Sequence, residues 1–243
     1  MAGFVFYDGP SLIDGSPIIG IAVLKSRNGK TGDMVQTFIL RADMTPVDAL
    51  MTGADSAICG DCRHRPTIEF DGTVRKGTCY VDVPKSVQQV FYAWVRGAYP
   101  MMTIAQAAKL LRGRAVRIGS YGDPAAIPAR AWRGLIAEAD GHTGYSHQWR
   151  IPRFQSLRDI VMASADTGPE RDVARAMGWR TFRVRSEAEP LAAREVVCPA
   201  SDEAGNRRQC ISCKACDGAA RGAGQASIAI VVHGRMAARF QAA

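Results

Sequence analysis

Seven cysteines fall into two groups, with none outside them. Cys59, Cys62 and Cys79 form the first group, and Cys198, Cys210, Cys213 and Cys216 the second. Where thiols stay reduced, close cysteine pairs point to metal or redox chemistry before structural disulfides. An odd total also argues against complete pairing. Cys210-x-x-Cys213-x-x-Cys216 packs three thiolates into one tight turn, and Cys198 supplies a fourth. Four thiolates satisfy tetrahedral zinc or a four-iron cluster. The first group offers three, which leaves a metal position open for substrate or cofactor, unless His64 closes it as structural zinc. His233 is either a substitute ligand in the second group or a satisfied core histidine. A fold for this chain has to gather one cysteine loop at residues 54–82 and one cysteine cluster at residues 198–217.

The rest of the chain alternates strands with helices. Short β-branched or aromatic runs predict strands at Phe4–Tyr7, Ile18–Leu24 and Met34–Leu40. Asn28-Gly29-Lys30-Thr31-Gly32 lacks phosphate-loop spacing and reads as a hairpin turn. Thr45-Pro46 starts a short helix that ends near Gly53. Val87, Val90, Phe91, Trp94 and Val95 recur at helical spacing within Pro84–Arg96, and Thr103 caps a second helix through Leu111. Further strands are expected at Ala115–Gly119, Thr143–Trp149, Asp159–Ala165, Trp179–Val184, Glu195–Val197 and Ser227–Val232, with helices starting at Pro128 and Pro169. This order is that of parallel βαβ units. The expected fold is a single α/β domain over residues 1–243, a partial (β/α) barrel or an open, mostly parallel sheet with cysteine-rich metal-binding loops. About six such strands are too few for a complete eight-fold barrel.

In parallel α/β folds the site lies at the C-terminal ends of the strands. The polar residues gather there: the first cysteine loop, Asp123, His147, Asp166, Cys198 and His233. Asp123 and Asp166 are candidate acids, bases or nucleophiles. Their structural alternatives are a turn residue before Pro124 and a helix cap before Pro169. His147 is a candidate base or phosphate contact. Tyr80, Tyr121, Tyr145 and Trp149 are placed to stack on a base, or to pack.

The formal net charge is +8, and the arginines are scattered through folded segments. That surplus favours an anionic partner, nucleic acid above all. No apolar run approaches the ~20 residues of a membrane span, and the start of the chain lacks the pattern of a secretory signal. A cytoplasmic protein without a membrane partner is expected.

Several stretches resemble uncharacterised cysteine-rich proteins of bacteriophages and related mobile elements. They are Asn28–Gly32, Cys59-Gly60-Asp61-Cys62, Cys79-Tyr80-Val81, Arg117–Pro124, Gly144–Trp149, and Cys198-Pro199 with the last three cysteines. The resemblance spans nearly the whole chain and implies a phage or mobile-element context without naming a reaction. More distantly, the chain resembles radical S-adenosylmethionine enzymes. That likeness implies a partial barrel in which Cys59, Cys62 and Cys79 hold a 4Fe-4S cluster whose open iron takes S-adenosylmethionine. Tyr80 would accompany the last cysteine. Gly119, Ser120 and Gly122 would touch the cofactor, and the second cysteine group would hold an auxiliary cluster. The family's usual loop is C-x-x-x-C-x-x-C, whereas sixteen residues separate Cys62 from Cys79 here. A competing likeness is to guanine transglycosylases. It implies zinc held by Cys210, Cys213, Cys216 and His233, with Asp123 and Asp166 as paired carboxylates in DNA base exchange. A non-catalytic zinc protein that binds nucleic acid is the third expectation. A metalloenzyme modifying nucleic acid or a nucleobase accounts for the most residues.

Overall fold

The computed structural model describes residues 1–75, 77–220, 222, 224–233 and 237–240. Strands β1 (Gly3–Pro10), β2 (Pro17–Val23) and β3 (Val35–Arg41) form an antiparallel meander. Helices α1 (Pro46–Thr52) and α2 (Ser56–Cys59), a small hairpin of β4 (Thr67–Ile68) and β5 (Val74–Arg75), and helices α3 (Gln88–Val95) and α4 (Ile104–Leu110) lead to β6 (Ala115–Tyr121). Then come α5 (Ala129–Leu135), β7 (Gly141–Ser146), β8 (Met162–Ala165), α6 (Gly168–Ala176), β9 (Thr181–Arg185), β10 (Glu195–Val197), α7 (Cys210–Cys213) and β11 (Ser227–Val231).

Nine of these strands make one open sheet in the order β1-β2-β3-β6-β7-β8-β9-β11-β10. Every pair from β3 onward is parallel. The parallel set therefore holds seven strands rather than about six. From β3 to β9 the spatial order follows the chain order, so each crossover steps the same way. Right-handed crossovers that never reverse direction put their connections on one face of the sheet. That face carries the larger core, where Ile18, Ile39, Ile118, Trp132 and Trp149 are fully enclosed. The other face carries a smaller cluster of Met162, Phe182, Ile228 and Ile230, covered by Cys198, Ala200 and Cys216. The C-terminal cysteine segment is thus the lid of the inner face. No helix among the described residues is long and apolar enough to cross a membrane.

Local signals explain most boundaries. The Thr45 hydroxyl accepts from the Asp48 amide, Pro46 opens α1, and Gly53 ends it at φ 76°. Thr103 and Gln106 close a reciprocal capping box on α4. A π-helical turn over Val83–Val87 precedes α3, so the expected single helix starts in two pieces. Val95, expected on the apolar face, is exposed. β7 ends at Ser146 and a 3₁₀ turn takes Gln148–Arg150, so His147 stands just past the strand. Likewise β8 starts only at Met162, because Leu157 to Val161 are held in turns, with the Ile160 and Val161 amides both bonded to the Leu157 carbonyl.

Candidate metal centre

The parallel strands deliver three loops to one edge of the sheet. β6 ends in Gly119-Ser120-Tyr121-Gly122-Asp123. Gly119 and Gly122 have φ of 65° and 84°, and a Cβ on Gly122 would stand 2.7 Å from the Ile39 Cβ, so the turn requires glycine. The Asp123 amide donates to the Ile58 carbonyl at 2.6 Å, which ties this turn to the first cysteine loop. Its carboxylate accepts from the Ala125 amide (2.9 Å), the Ser146 hydroxyl (2.7 Å) and the His147 amide (2.7 Å). Burial pushes Asp123 up to about 6 against those donors. Asp123 is therefore the brace between two strand ends and the cysteine loop. Both of its oxygens are engaged by the protein, as the turn reading of Asp123-Pro124 implies.

His147 and Asp166 meet His64. The His64 Nε2 lies 3.0 Å from the Asp166 Oδ1, and its Nδ1 lies 2.6 Å from the Thr78 hydroxyl. The His147 ring stands edge-on to His64, with centroids 5.5 Å apart. Its Nε2 is buried with no hydrogen-bond partner. Burial pushes His147 down to about 4, so the ring is neutral at physiological pH. Burial works to raise Asp166, but the hydrogen bond and charge of His64 outweigh it and leave that carboxyl below its ordinary value. The helix cap expected at Asp166 is instead Thr167, whose hydroxyl accepts from the Glu170 amide. Asp166 is left free to face the two histidines. Among the described residues, the group of three metal-ligating side chains with ligand atoms all within 4.8 Å of one another is His64, His147 and Asp166.

The three thiols of the first loop stand beside this group. Burial pushes Cys59, Cys62 and Cys79 above the usual thiol range, and the neighbouring thiols and carboxylates add to it. Their anchor is Arg65. Its guanidinium grips Asp55 through two hydrogen bonds of 2.9 and 2.6 Å and donates to the carbonyls of Gly60 and Gly53. Gln148 holds the loop from the other side, donating to the Asp61 carboxylate at 2.7 Å and the Cys59 carbonyl at 3.3 Å. Gly60, at φ 60° and ψ −136°, lies under that amide, and a Cβ there would stand 2.4 Å from it. Gly60→Ala is expected to cost about 2–4 kcal/mol, from the strained backbone and a displaced Gln148. Urea unfolding checks this, and a cost under about 0.5 kcal/mol would show that the loop turns some other way.

Cys198 directly follows the end of β10, and the second cysteine group packs on the inner face. The Cys210 amide donates to the Lys30 carbonyl, and the Gly144 amide donates to the Cys216 carbonyl. Burial pushes Cys216 up to about 12 and raises Cys198 and Cys210. Beneath them, Arg117 lies 4.2 Å from the Tyr145 ring, which packs on Phe182. His233 is exposed and bonds to Lys30 at 3.0 Å, so it is not a core histidine. A cavity of about 780 Å³ beside it is lined by residues of both charge signs, among them Lys30, Arg208 and Asp202. No three sulfurs of either group stand within 4.8 Å of one another.

The remaining candidates divide. Ser120 bonds to the Gln36 side chain at 2.7 Å. Tyr80 is exposed, whereas Tyr121 and Trp149 are buried in the core, so neither is a base-stacking platform. Arg180, Arg183 and Arg185 are buried in pairs with Asp217, Glu195 and Glu203, so these three add nothing to a basic surface. Sequence reasoning missed Arg65, Asp55, Thr78 and Gln148. The Asp55 and Arg65 pairing had a signal only in their opposite charge at the two ends of the cysteine loop. The chain matches no family model, no curated protein and no solved structure.

Proposed function

We propose that the chain is a metalloenzyme of the radical S-adenosylmethionine kind, acting on a nucleic acid or nucleobase at the C-terminal ends of its parallel strands. One observation carries this reading. The three-thiol loop leaves the first of several parallel strands laid out in chain order, and the glycine turn Gly119–Asp123 ends the next. Cys59, Cys62 and Cys79 fit an iron–sulfur group. They are partly buried free thiols within one another's electrostatic reach. Bound there, such a cluster would supply an electron to S-adenosylmethionine. The protein's own contribution is positional. Arg65 and Gln148 hold the loop, Asp123 ties it to the ends of β6 and β7, and the neutral His147 ring faces the same space. The net charge of +8 favours an anionic substrate. The base-exchange reading has less support: Asp123 is consumed by hydrogen bonds, Asp166 is paired with His64, and His233 bonds to Lys30.

Protein purified without oxygen is expected to carry about four irons with matching sulfide per cluster, about eight if both cysteine groups are loaded. Cys59→Ser/Cys62→Ser/Cys79→Ser should lose the reactive share and all cleavage of S-adenosylmethionine. Zinc alone, with no iron or sulfide, would sink this reading and leave zinc-dependent nucleic-acid binding.

A further inference from the structure

We propose that His64, His147 and Asp166 form a mononuclear site for a divalent first-row transition metal, distinct from both cysteine groups. The proposal deepens the reading of the strand ends as the reaction centre. Two imidazoles and one carboxylate are the donor set of open, reactive metal sites, with positions left for substrate. Here each donor arrives from a separate loop: His64 from the cysteine loop, His147 from beyond β7 and Asp166 from beyond β8. Their ligand atoms already lie within 4.8 Å of one another. An ion with bonds of about 2.1 Å draws them together through small side-chain rotations.

The surroundings fit a ligand set better than an ion pair. The buried His147 Nε2 has no partner, and buried polar atoms in folded proteins nearly always have one. A His64–Asp166 pair alone leaves that atom unexplained; an ion satisfies it. The Thr78 hydroxyl can accept a hydrogen bond from the His64 Nδ1–H, which leaves the Nε2 lone pair for the ion. The His147 backbone is fixed by Asp123, and the Asp166 amide donates to the Glu170 carboxylate at 2.7 Å. Phe240 lies near-parallel to His64, with centroids 6.2 Å apart.

The test is Co²⁺ titration of the full chain after chelator treatment, followed by visible absorption, with folding checked by circular dichroism. Wild type and Cys59→Ser/Cys62→Ser/Cys79→Ser should each show one Co²⁺ with nitrogen- and oxygen-type bands that His147→Gln removes, separate from any sulfur charge-transfer band of Co²⁺ held by cysteines. His147→Gln should weaken binding by about 100-fold or more, since even outer-shell losses cost about 10–100-fold. Thr78→Val lies outside the first shell and should weaken it by about 10-fold or more, which keeps the test decisive if His147→Gln does not fold. Unchanged Co²⁺ affinity in a folded His147→Gln, or in Thr78→Val, overturns the site. Co²⁺ binding that vanishes in the cysteine variant but survives in His147→Gln also overturns it, and leaves the iron–sulfur reading standing. Absence of iron and sulfide beside His147-dependent Co²⁺ binding sinks that reading and keeps this site.

Discussion

Arg65→Ala is expected to lower the stability of the protein by about 3–5 kcal/mol, because it leaves the Asp55 carboxylate buried and unpaired. Asp55 is 1% exposed, and Arg65 is its one side-chain partner among the described residues, through two parallel hydrogen bonds. The same guanidinium serves the carbonyls of Gly53 and Gly60, which close the loop around Cys59. Removal therefore strands a charge and frees the cysteine loop together. At this chain length the loss corresponds to a fall of roughly 6–20 °C in Tm. Arg63→Ala is the control: Arg63 is exposed, and such surface changes stay within about 0.5 kcal/mol. Arg65→Lys should recover only part, since a single ammonium cannot reproduce the planar fork. A loss below about 1 kcal/mol in Arg65→Ala would show that the loop holds its shape without this pair.

Arg183→Met is expected to cost a similar amount at pH 7, about 3–5 kcal/mol, with a pH signature that identifies the cause. Arg183 on β9 makes two hydrogen bonds, of 2.9 and 2.7 Å, to Glu195 on β10, a carboxylate whose side chain is 0% exposed. β11 lies between them, with Ala229 in register with Arg183 and Ser227 in register with Glu195. Burial acts to raise Glu195, and the Arg183 hydrogen bonds, the Ala192 amide and the charges of Arg183 and Arg171 together outweigh it, so the native carboxyl titrates below its ordinary value. A depressed native value gives stability that is present above the unfolded value of about 4.3 and lost as pH falls through the native one. In Arg183→Met the buried carboxyl keeps the Ala192 amide but loses its paired guanidinium, so its pKa rises and that variant gains relative stability on acidification. The difference between the two proteins should narrow below about pH 5. A difference that stays constant from pH 7 to pH 4 would assign the loss to packing instead.

The α/β pattern and the strand-end residues were legible in the sequence for a simple reason. Asp123, His147 and Asp166 each follow an apolar run, and parallel strands bring such positions to one edge. Their roles were less legible. Asp166 and Thr167 are both good capping residues one position apart, and only the turn geometry assigns the cap to Thr167. Trp149 is apolar, so periodicity carries β7 three residues past its real end at Ser146. His64 sits two residues beyond Cys62, and local reading groups it with the thiols. Its actual partner, Asp166, is 102 residues away, a distance at which a single sequence carries no pairing signal. The inner-face location of the second cysteine group was hidden for a related reason: spacing defines a turn, but not which side of a sheet the turn covers.

The place of β11 has a consequence for how the protein is made. It follows β10 in the chain yet lies between β9 and β10, and 29 residues separate Val197 from Ser227. At about 5–20 residues per second a ribosome needs roughly 1.5–6 s to cover that interval. Throughout it, the edge of β9 is an open template of unpaired amides and carbonyls, and β10 has no neighbour to join. The cysteine segment that covers the inner face is synthesised in the same interval. A nascent chain paused there presents both a bare strand edge and bare thiols, so the interval between β10 and β11 is a vulnerable moment of its biogenesis.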